Sequence, residues 1–155
     1  MDIEPQLQQL LRNAPQDGKT PQLLTQAVIP VLRAYARQMK YPNYYVVQNQ
    51  QKRWVLTTLS NRAEPDLEKK VVYAFASPQD AMLFNGRAEA DLRPVSLPVT
   101  HVLFQLFALK TVDSLVFFEK SGDFSAGKEI KRTELESLVQ QQFLKTKASP
   151  PADFA

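Results

Sequence analysis

The sequence predicts an α+β domain: a mixed sheet of four to five strands, with an N-terminal helical pair and further helices packed on the sheet. Segments of helical and strand periodicity follow one another as two helices, three strands, helix, weak strand, helix, strand and helix. At mid-chain, residues 69–85 (KKVVYAFASPQDAMLFN) join a short apolar strand directly to a helix start. With 155 residues, 44% of them hydrophobic, the chain suits a single domain at residues 1–147, followed by a disordered tail at residues 148–155.

Two helices are expected at the N-terminus. Residues 3–12 carry apolar side chains at helical spacing, which indicates a short amphipathic helix. Thr20 and Pro21 then open a longer helix, with Thr20 as its cap and proline at the first position. Because Pro30 falls inside this helix and removes a hydrogen-bond donor, we expect a kink there or a break after Ile29.

The strands follow after a change of period. Residues 44–48 and 53–59 are predicted to form a hairpin around the polar turn at residues 49–52. Residues 71–75 contain no polar side chain, which favours a strand that is buried on both faces.

The second half of the chain continues with a short helix. Ser77 and Pro78 cap and open it, and Asn85-Gly86 ends it. Residues 92–97 are predicted as an edge strand because Pro94 cannot donate to a ladder.

The remaining elements are a buried helix, a hairpin and a last helix. Residues 98–110 carry apolar side chains on nearly every side of a helix, which indicates that this helix is buried. Residues 112–119 are predicted to form a strong strand. Residues 128–131 pair briefly with that strand, and residues 133–136 form a capping box that opens the last helix, which runs to about residue 145.

Composition excludes several classes of site. The chain has no cysteine, so it has no disulfide, no thiolate zinc site and no cysteine nucleophile, which fits a reducing cytoplasm. No apolar run approaches the roughly 18 residues of a membrane span, and the N-terminus lacks the features of a secretory signal. Lysine and arginine number 19 against 16 acids, and the two signs are interspersed along the chain. The small positive excess therefore gives only a weak long-range electrostatic field.

The motifs that suggest chemistry are incomplete. Residues 122–128 match GxxxxGK after a strand, but Glu129 stands where magnesium coordination needs a hydroxyl. A β-turn whose glycines, Gly122 and Gly127, occupy positions that need φ > 0 is the preferred interpretation. His101 is the only histidine and lies in a buried helix without a GxSxG elbow. We therefore predict no catalytic, cofactor-binding or metal-binding residue. The acids considered for a carboxylate pair or a metal, and then left as caps and turn residues, are Asp80, Asp91, Asp113, Glu119 and Asp123.

A basic stripe on the second helix is the candidate contact surface. Three cations recur at i, i+4 and i+7, tyrosines follow in sequence, and two more cations lie across the hairpin. Such a stripe can hold RNA or an acidic partner, and it can equally be a solvated helix face. The residues are Arg33, Arg37, Lys40, Tyr41, Lys52 and Arg53.

Over roughly residues 44–143 the chain resembles a known group of proteins. The phrases VVYAFASPQDAMLF, DLRPVSLPVTHVLFQL and VDSLVFFEKSGDFSAGKEIKRTELESLV are similar in order to those of SseB-like proteins. They also resemble the import-associated chaperones of cyanobacteria and plastids, although residues 116–119 stand where the SseB phrase has Asn-Pro. The resemblance implies an α+β binding or chaperone-like module without catalytic residues, and it assigns no site residue.

The leading prediction for function is a non-enzymatic, soluble, cytoplasmic interaction protein, an assembly or accessory factor. It would hold a segment of another protein, or of a second copy, in an apolar groove or at a sheet edge. The alternatives are a nucleic-acid-binding protein that uses the basic stripe, and a small enzyme with a carboxylate-based site.

Overall fold

A computed structural model describes residues 2–60, 63, 67–84 and 91–148, with only the backbone of residues 147 and 148. It confirms the α+β class. The helices are α1 (Glu4–Asn13), α2 (Thr20–Leu23), α3 (Ile29–Arg37), α4 (Pro78–Phe84), α5 (Val99–Ala108) and α6 (Arg132–Ala148), and the strands are β1 (Asn43–Gln48), β2 (Thr57–Ser60), β3 (Glu68–Ala74), β4 (Arg93–Pro98), β5 (Ser114–Phe118) and β6 (Gly127–Lys131).

The strands form two sheets that meet at one point. One sheet has the order β2-β3-β5-β6, with β3 and β5 parallel and the other pairs antiparallel, so it is mixed as predicted. The other is the antiparallel pair β1-β4. Tyr45 and Phe75 exchange two backbone hydrogen bonds of 2.8 Å that join β1 to the end of β3. The strands therefore divide into two and four, where a single sheet of four to five was predicted.

Strand β3 is buried on both faces, as its apolar sequence predicts. Val72 and Ala74 belong to the main core, whereas Tyr73 and Phe75 belong to a second apolar cluster on the opposite face. Residues from α1, α3, α5 and α6 complete the main core, and α4 covers the second cluster with Ala81. The sheet thus separates a thick helical layer from a thin one.

The second cluster is built mainly of aromatic rings. Its ring centroids lie 4.6 to 6.4 Å apart in tilted, edge-on and stacked pairs, the geometry that aromatic quadrupoles favour. Tyr73 and Phe118 are nearly parallel, with an interplanar angle of 9°. Four of these rings belong to the cluster, Tyr73, Phe75, Phe118 and Phe124, and the exposed ring of Phe84 on α4 contacts all four.

Two predicted helix caps are wrong. The carboxylate of Asp17 caps α2, because its Oδ1 accepts from the amides of Lys19 (2.9 Å) and Thr20 (2.7 Å). Thr20 instead donates its hydroxyl to Asp17 Oδ2 at 2.8 Å. At α6 the predicted capping box over residues 133–136 is absent, because the helix begins at Arg132, whose guanidinium binds Glu136.

Pro30 changes the helix without breaking it. A π-helical segment, Leu24–Val28, joins α2 to α3, and the Ile29 amide donates to the Leu24 carbonyl. The Gln26 carbonyl, which the missing amide of Pro30 would have reached in an α-helix, accepts from Thr146 Oγ1 at 3.5 Å. The predicted break after Ile29 is therefore wrong, since a wider helical turn accommodates the proline.

The second strand of the predicted hairpin is shorter than the sequence pattern indicates. Of residues 53–59, only the last three belong to β2, while Trp54 makes an isolated pair with Gln48. The Val55 amide still donates to the Val47 carbonyl at 2.9 Å, so this segment leaves β1 before it reaches β3. Strand β4 contains Pro94 and pairs with β1 alone, as expected of an edge strand.

The expected helix end at Asn85-Gly86 falls outside the described residues, as does all of the expected tail at residues 148–155 except Ala148. Ala148 is the last residue of α6, so the expectation of a disordered tail is wrong at that position. Across the described ranges, no helix is both long enough and apolar enough to cross a membrane.

Candidate functional site

The basic stripe is partly neutralised by α1. Glu4 accepts two hydrogen bonds from the Arg33 guanidinium, Nε to Oε1 at 2.7 Å and Nη2 to Oε2 at 3.1 Å. Arg37 Nη2 lies 3.9 Å from the same carboxylate. The hydrogen bond from Arg33 lowers the pKa of Glu4, which keeps the pair ionised. Arg33 therefore holds α1 on α3, and Arg37 is the more exposed of the two cations.

Lys40 and Tyr41 lie at a different contact. The Lys40 amide donates to Glu119 Oε2 at 2.8 Å, and its ammonium sits 5.5 Å from the centroid of the Tyr41 ring. The hydroxyl of the fully buried Tyr44 donates to Glu119 Oε1. Burial, with a smaller effect of Glu119, raises the pKa of Tyr44. This network joins the end of α3 to the end of β5.

Lys52 and Arg53 lie apart from the other four predicted residues. They line a cavity of about 590 Å³ between the β1–β2 turn and α5, whose described lining contains none of Arg33, Arg37 or Lys40. The structure therefore does not bring the predicted stripe together as one surface.

The acids considered for catalysis have structural partners. Asp80 is buried and accepts from the Gly122 amide at 3.0 Å, and Asp113 accepts from the Lys70 amide at 2.8 Å. Hydrogen bonds from Ser125 lower the pKa of Asp123, the direction opposite to that of a general acid. The described residues hold no group of three or more His, Asp or Glu side chains placed to bind a metal ion. Asp91 and Glu119 accept from Gln50 and Tyr44.

The GxxxxGK motif is a hairpin between β5 and β6. Gly122 has φ +80° in the turn, which confirms the turn interpretation there. Gly127 lies in β6 with no positive φ, so its expected left-handed conformation is wrong. A Cβ at this position would come well inside 3.0 Å of Val116 Cγ1, and this close approach is what requires glycine. Lys128 Nζ donates to the Gln38 carbonyl at 2.7 Å.

A groove between α3 and α6 was missed by the sequence reasoning. Its volume is about 400 Å³, and its wall combines apolar side chains with glutamines. The Tyr35 hydroxyl donates to Glu134 Oε1 at 3.0 Å, and burial followed by this bond raises the pKa of Tyr35 to about 12. The described lining is Pro30, Val31, Ala34, Tyr35, Gln38, Glu134, Leu138, Gln141, Gln142 and Lys145.

A second depression flanks the other side of α6. Its volume is about 320 Å³, and it is lined by Leu23 of α2 and Phe143 of α6, both exposed. The sequence carries little signal for these grooves, because four of the apolar residues of α6 follow the i, i+3, i+4 and i+8 spacing of one ordinary buried stripe. Leu135 and Val139 are buried, whereas Leu138, Phe143 and Leu144 are exposed.

No family model matches the chain, and no curated protein matches it in sequence. The resemblance to SseB-like proteins therefore stays a prediction from the quoted phrases.

Proposed function

We propose that this chain is a non-enzymatic interaction protein that holds an apolar helical segment of a partner protein in the groove between α3 and α6. The observation that carries the proposal is the exposure of large apolar side chains on one helix. Leu138, Phe143 and Leu144 are 38%, 37% and 54% exposed, and all three lie on α6. Leu138 lines the groove between α3 and α6, whereas Phe143 lines the depression on the other side of the helix. Exposed apolar side chains beside a groove are typical of protein-binding surfaces.

The shape of the groove suits a helix. Two packed helices form its walls, and the exposed Ala34 on α3 leaves room for an incoming backbone. Glu134 and Lys145, both in the lining, are separated along α6 by about 16 Å at about 1.5 Å per residue. An amphipathic partner helix of about three turns fills that length, with its apolar face on Val31 and Leu138.

The glutamines of the lining favour a partner with neutral polar side chains at its edges. Gln38, Gln141 and Gln142 offer both donors and acceptors without a net charge. Binding should therefore survive high salt, in contrast to binding by a cationic stripe. An assembly or accessory role in the cytoplasm, with a chaperone-like hold on its client, fits such a salt-resistant apolar contact.

The test fills the groove with a side chain. In Ala34→Arg, arginine replaces an exposed helical alanine, so the fold is kept while the long side chain occupies the groove. The matched control is Ala108→Arg, at the exposed last residue of α5 and outside the described groove lining. Tagged chains are purified from their own cells at low and at high salt, and the retained proteins are quantified.

A stoichiometric partner should remain at high salt with the wild type and Ala108→Arg and fall about tenfold or more with Ala34→Arg. Equal retention by Ala34→Arg and wild type would refute the groove as the binding site. Retention of no protein by the wild type would refute the interaction role itself.

A further inference from the structure

The cavity beside the β1–β2 turn lies apart from the α3–α6 groove and shares none of its described lining. Its volume of about 590 Å³ is within the range of small-molecule sites, which runs from about 300 to 1,000 Å³. The turn forms one wall and α5 another. Its described lining is Gln48, Lys52, Arg53, Trp54, Leu56, His101, Gln105, Leu109, Thr111 and Val112.

The two cations of this cavity have no partner among the described residues and can bind a ligand. Lys52 and Arg53 are both exposed, and no acidic residue belongs to the described lining. Within the described parts of the chain, neither cation forms an ion pair or a side-chain hydrogen bond. Two cations at one opening favour an anion, and the planar guanidinium of arginine can bind two oxygens of one phosphate at once.

The same cavity also offers a surface for a flat ring. Trp54 is half-buried, so part of its indole stays open, and Leu56 and Leu109 beside it are both exposed. Stacking on an indole is tolerant of ring type and contributes to binding in nucleic-acid complexes. His101 is half-buried, and burial lowers its pKa, so at neutral pH it is an uncharged ring with one donor and one acceptor.

The turn that carries the two cations is held in place. Asn49 Oδ1 accepts from the amides of Gln51 (2.9 Å) and Arg53 (3.1 Å), and the Lys52 amide donates to the Asn49 carbonyl at 3.0 Å. Lys52 has φ 63°, a conformation that glycine or asparagine adopts at less cost. The fold thus keeps a cationic side chain at a strained position on the edge of the cavity.

From this arrangement we propose that the cavity binds a mononucleotide, with its base against Trp54 and its phosphate at Lys52 and Arg53. The amides of Gln48 and Gln105 and the ring of His101 lie where they can bind base edges or ribose hydroxyls. This function is independent of the groove, so either proposal can fail without the other.

Trp54 is the only tryptophan in the chain, so its fluorescence reports on the cavity directly. The purified full chain is titrated with AMP, GMP, CMP and UMP, and separately with adenosine and with inorganic phosphate. We expect saturable quenching by at least one mononucleotide, with binding by adenosine or phosphate weaker by about tenfold or more, since each lacks one of the two contacts. Added salt should weaken the binding.

Variants separate the ligand contact from the fold. Arg53→Gln should weaken mononucleotide binding about tenfold, whereas Arg37→Gln, at an exposed cation outside the cavity, should leave it unchanged. Lys52→Gly should raise the thermal midpoint, because it relieves the positive φ, and at the same time weaken binding. A residue with a purely structural role would not give these opposite effects.

Three results would overturn the proposal: no saturable quenching by any mononucleotide, equal affinities for Arg53→Gln and Arg37→Gln, or binding of a single-stranded oligonucleotide without binding of any mononucleotide. The last result would assign the cavity to a nucleic-acid strand instead.

Discussion

Replacing Gly127 by alanine should destabilise the β5–β6 hairpin through one steric contact. The new Cβ would lie well inside 3.0 Å of Val116 Cγ1 and 3.2 Å from Phe118 Cε1, whereas carbon atoms in contact prefer about 3.5–4.0 Å. Valine has a stiff χ1, so the contact must be relieved by an off-rotamer Val116 or a shift of β6. Overpacking of this kind costs about 1–3 kcal/mol, and the lost flexibility of glycine in the unfolded chain offsets about 0.4–1 kcal/mol. We therefore expect a net loss of about 1–2 kcal/mol in the free energy of unfolding.

Urea unfolding, followed by the fluorescence of Trp54, measures this loss. The control is Gly122→Ala, where φ is +80° and nothing lies within 4 Å, so its cost of about 1 kcal/mol is conformational alone. Adding Val116→Ala removes Cγ1, and it should recover about 1 kcal/mol of the Gly127→Ala loss but none of the Gly122→Ala loss. Additive effects of Gly127→Ala and Val116→Ala would refute the steric explanation.

Two further predictions concern the partners of two carboxylates, the half-buried Glu119 and the exposed Glu129. Tyr44→Phe removes the hydroxyl donor to Glu119 and should cost about 1–2 kcal/mol by urea unfolding. Because the folded pKa of Tyr44 is raised above 10.0, this contribution is complete below pH 10 and is lost as pH rises above it. The unfolding free energies of the wild type and Tyr44→Phe should therefore converge at alkaline pH. Glu129→Gln should destabilise the chain at neutral pH, since Lys69 first and then Ser114 lower the pKa of Glu129. That contribution to the free energy of unfolding is present above pH 4.5, the ordinary pKa of a glutamate, and is lost as pH falls below it. Urea unfolding across the acid range should therefore show a narrowing difference in unfolding free energy between the wild type and Glu129→Gln. A difference that stays constant with pH would contradict the assignment.

The elements that depend on neighbouring residues were predicted well. The apolar run at residues 71–75 forms the doubly buried β3, and Ser77 Oγ accepts from the Asp80 amide at 3.1 Å, as a cap should. Both observations rest on side chains within a few positions of each other. Periodicity and capping chemistry therefore suffice where no distant residue competes.

The errors arose where another residue competed for the same group. Thr20 has the right chemistry for a cap, but its hydroxyl donates to Asp17 Oδ2, and the Asp17 carboxylate also accepts from the Thr20 amide. The i, i+4 and i+7 spacing of the basic stripe correctly places Arg33 and Arg37 on one helix, but α3 ends at Arg37, so the prediction is wrong for Lys40. The spacing carries no information on Glu4, 29 positions from Arg33, which pairs with that arginine.

The two concave sites depend on tertiary packing in the same way. Trp54 and His101 face one cavity because the β1–β2 turn folds against α5. Neither segment contains a sequence motif that predicts its contact with the other. A single tryptophan, a single histidine and two adjacent cations each have an ordinary structural explanation when taken alone. Their combination is visible only after the chain has folded.

The parallel pairing of β3 and β5 sets a limit on how fast this chain can fold. Lys70 and Asp113, just before the paired register, are 43 positions apart, so the two ends of a long loop must meet before this contact forms. Closing so long a loop costs entropy that no local hydrogen bond compensates, whereas the β5–β6 hairpin closes over a few residues. We expect refolding in which the hairpin and α6 are protected from hydrogen exchange early. The pairing of β3 with β5 follows as the slow step that commits the two sheets to one topology.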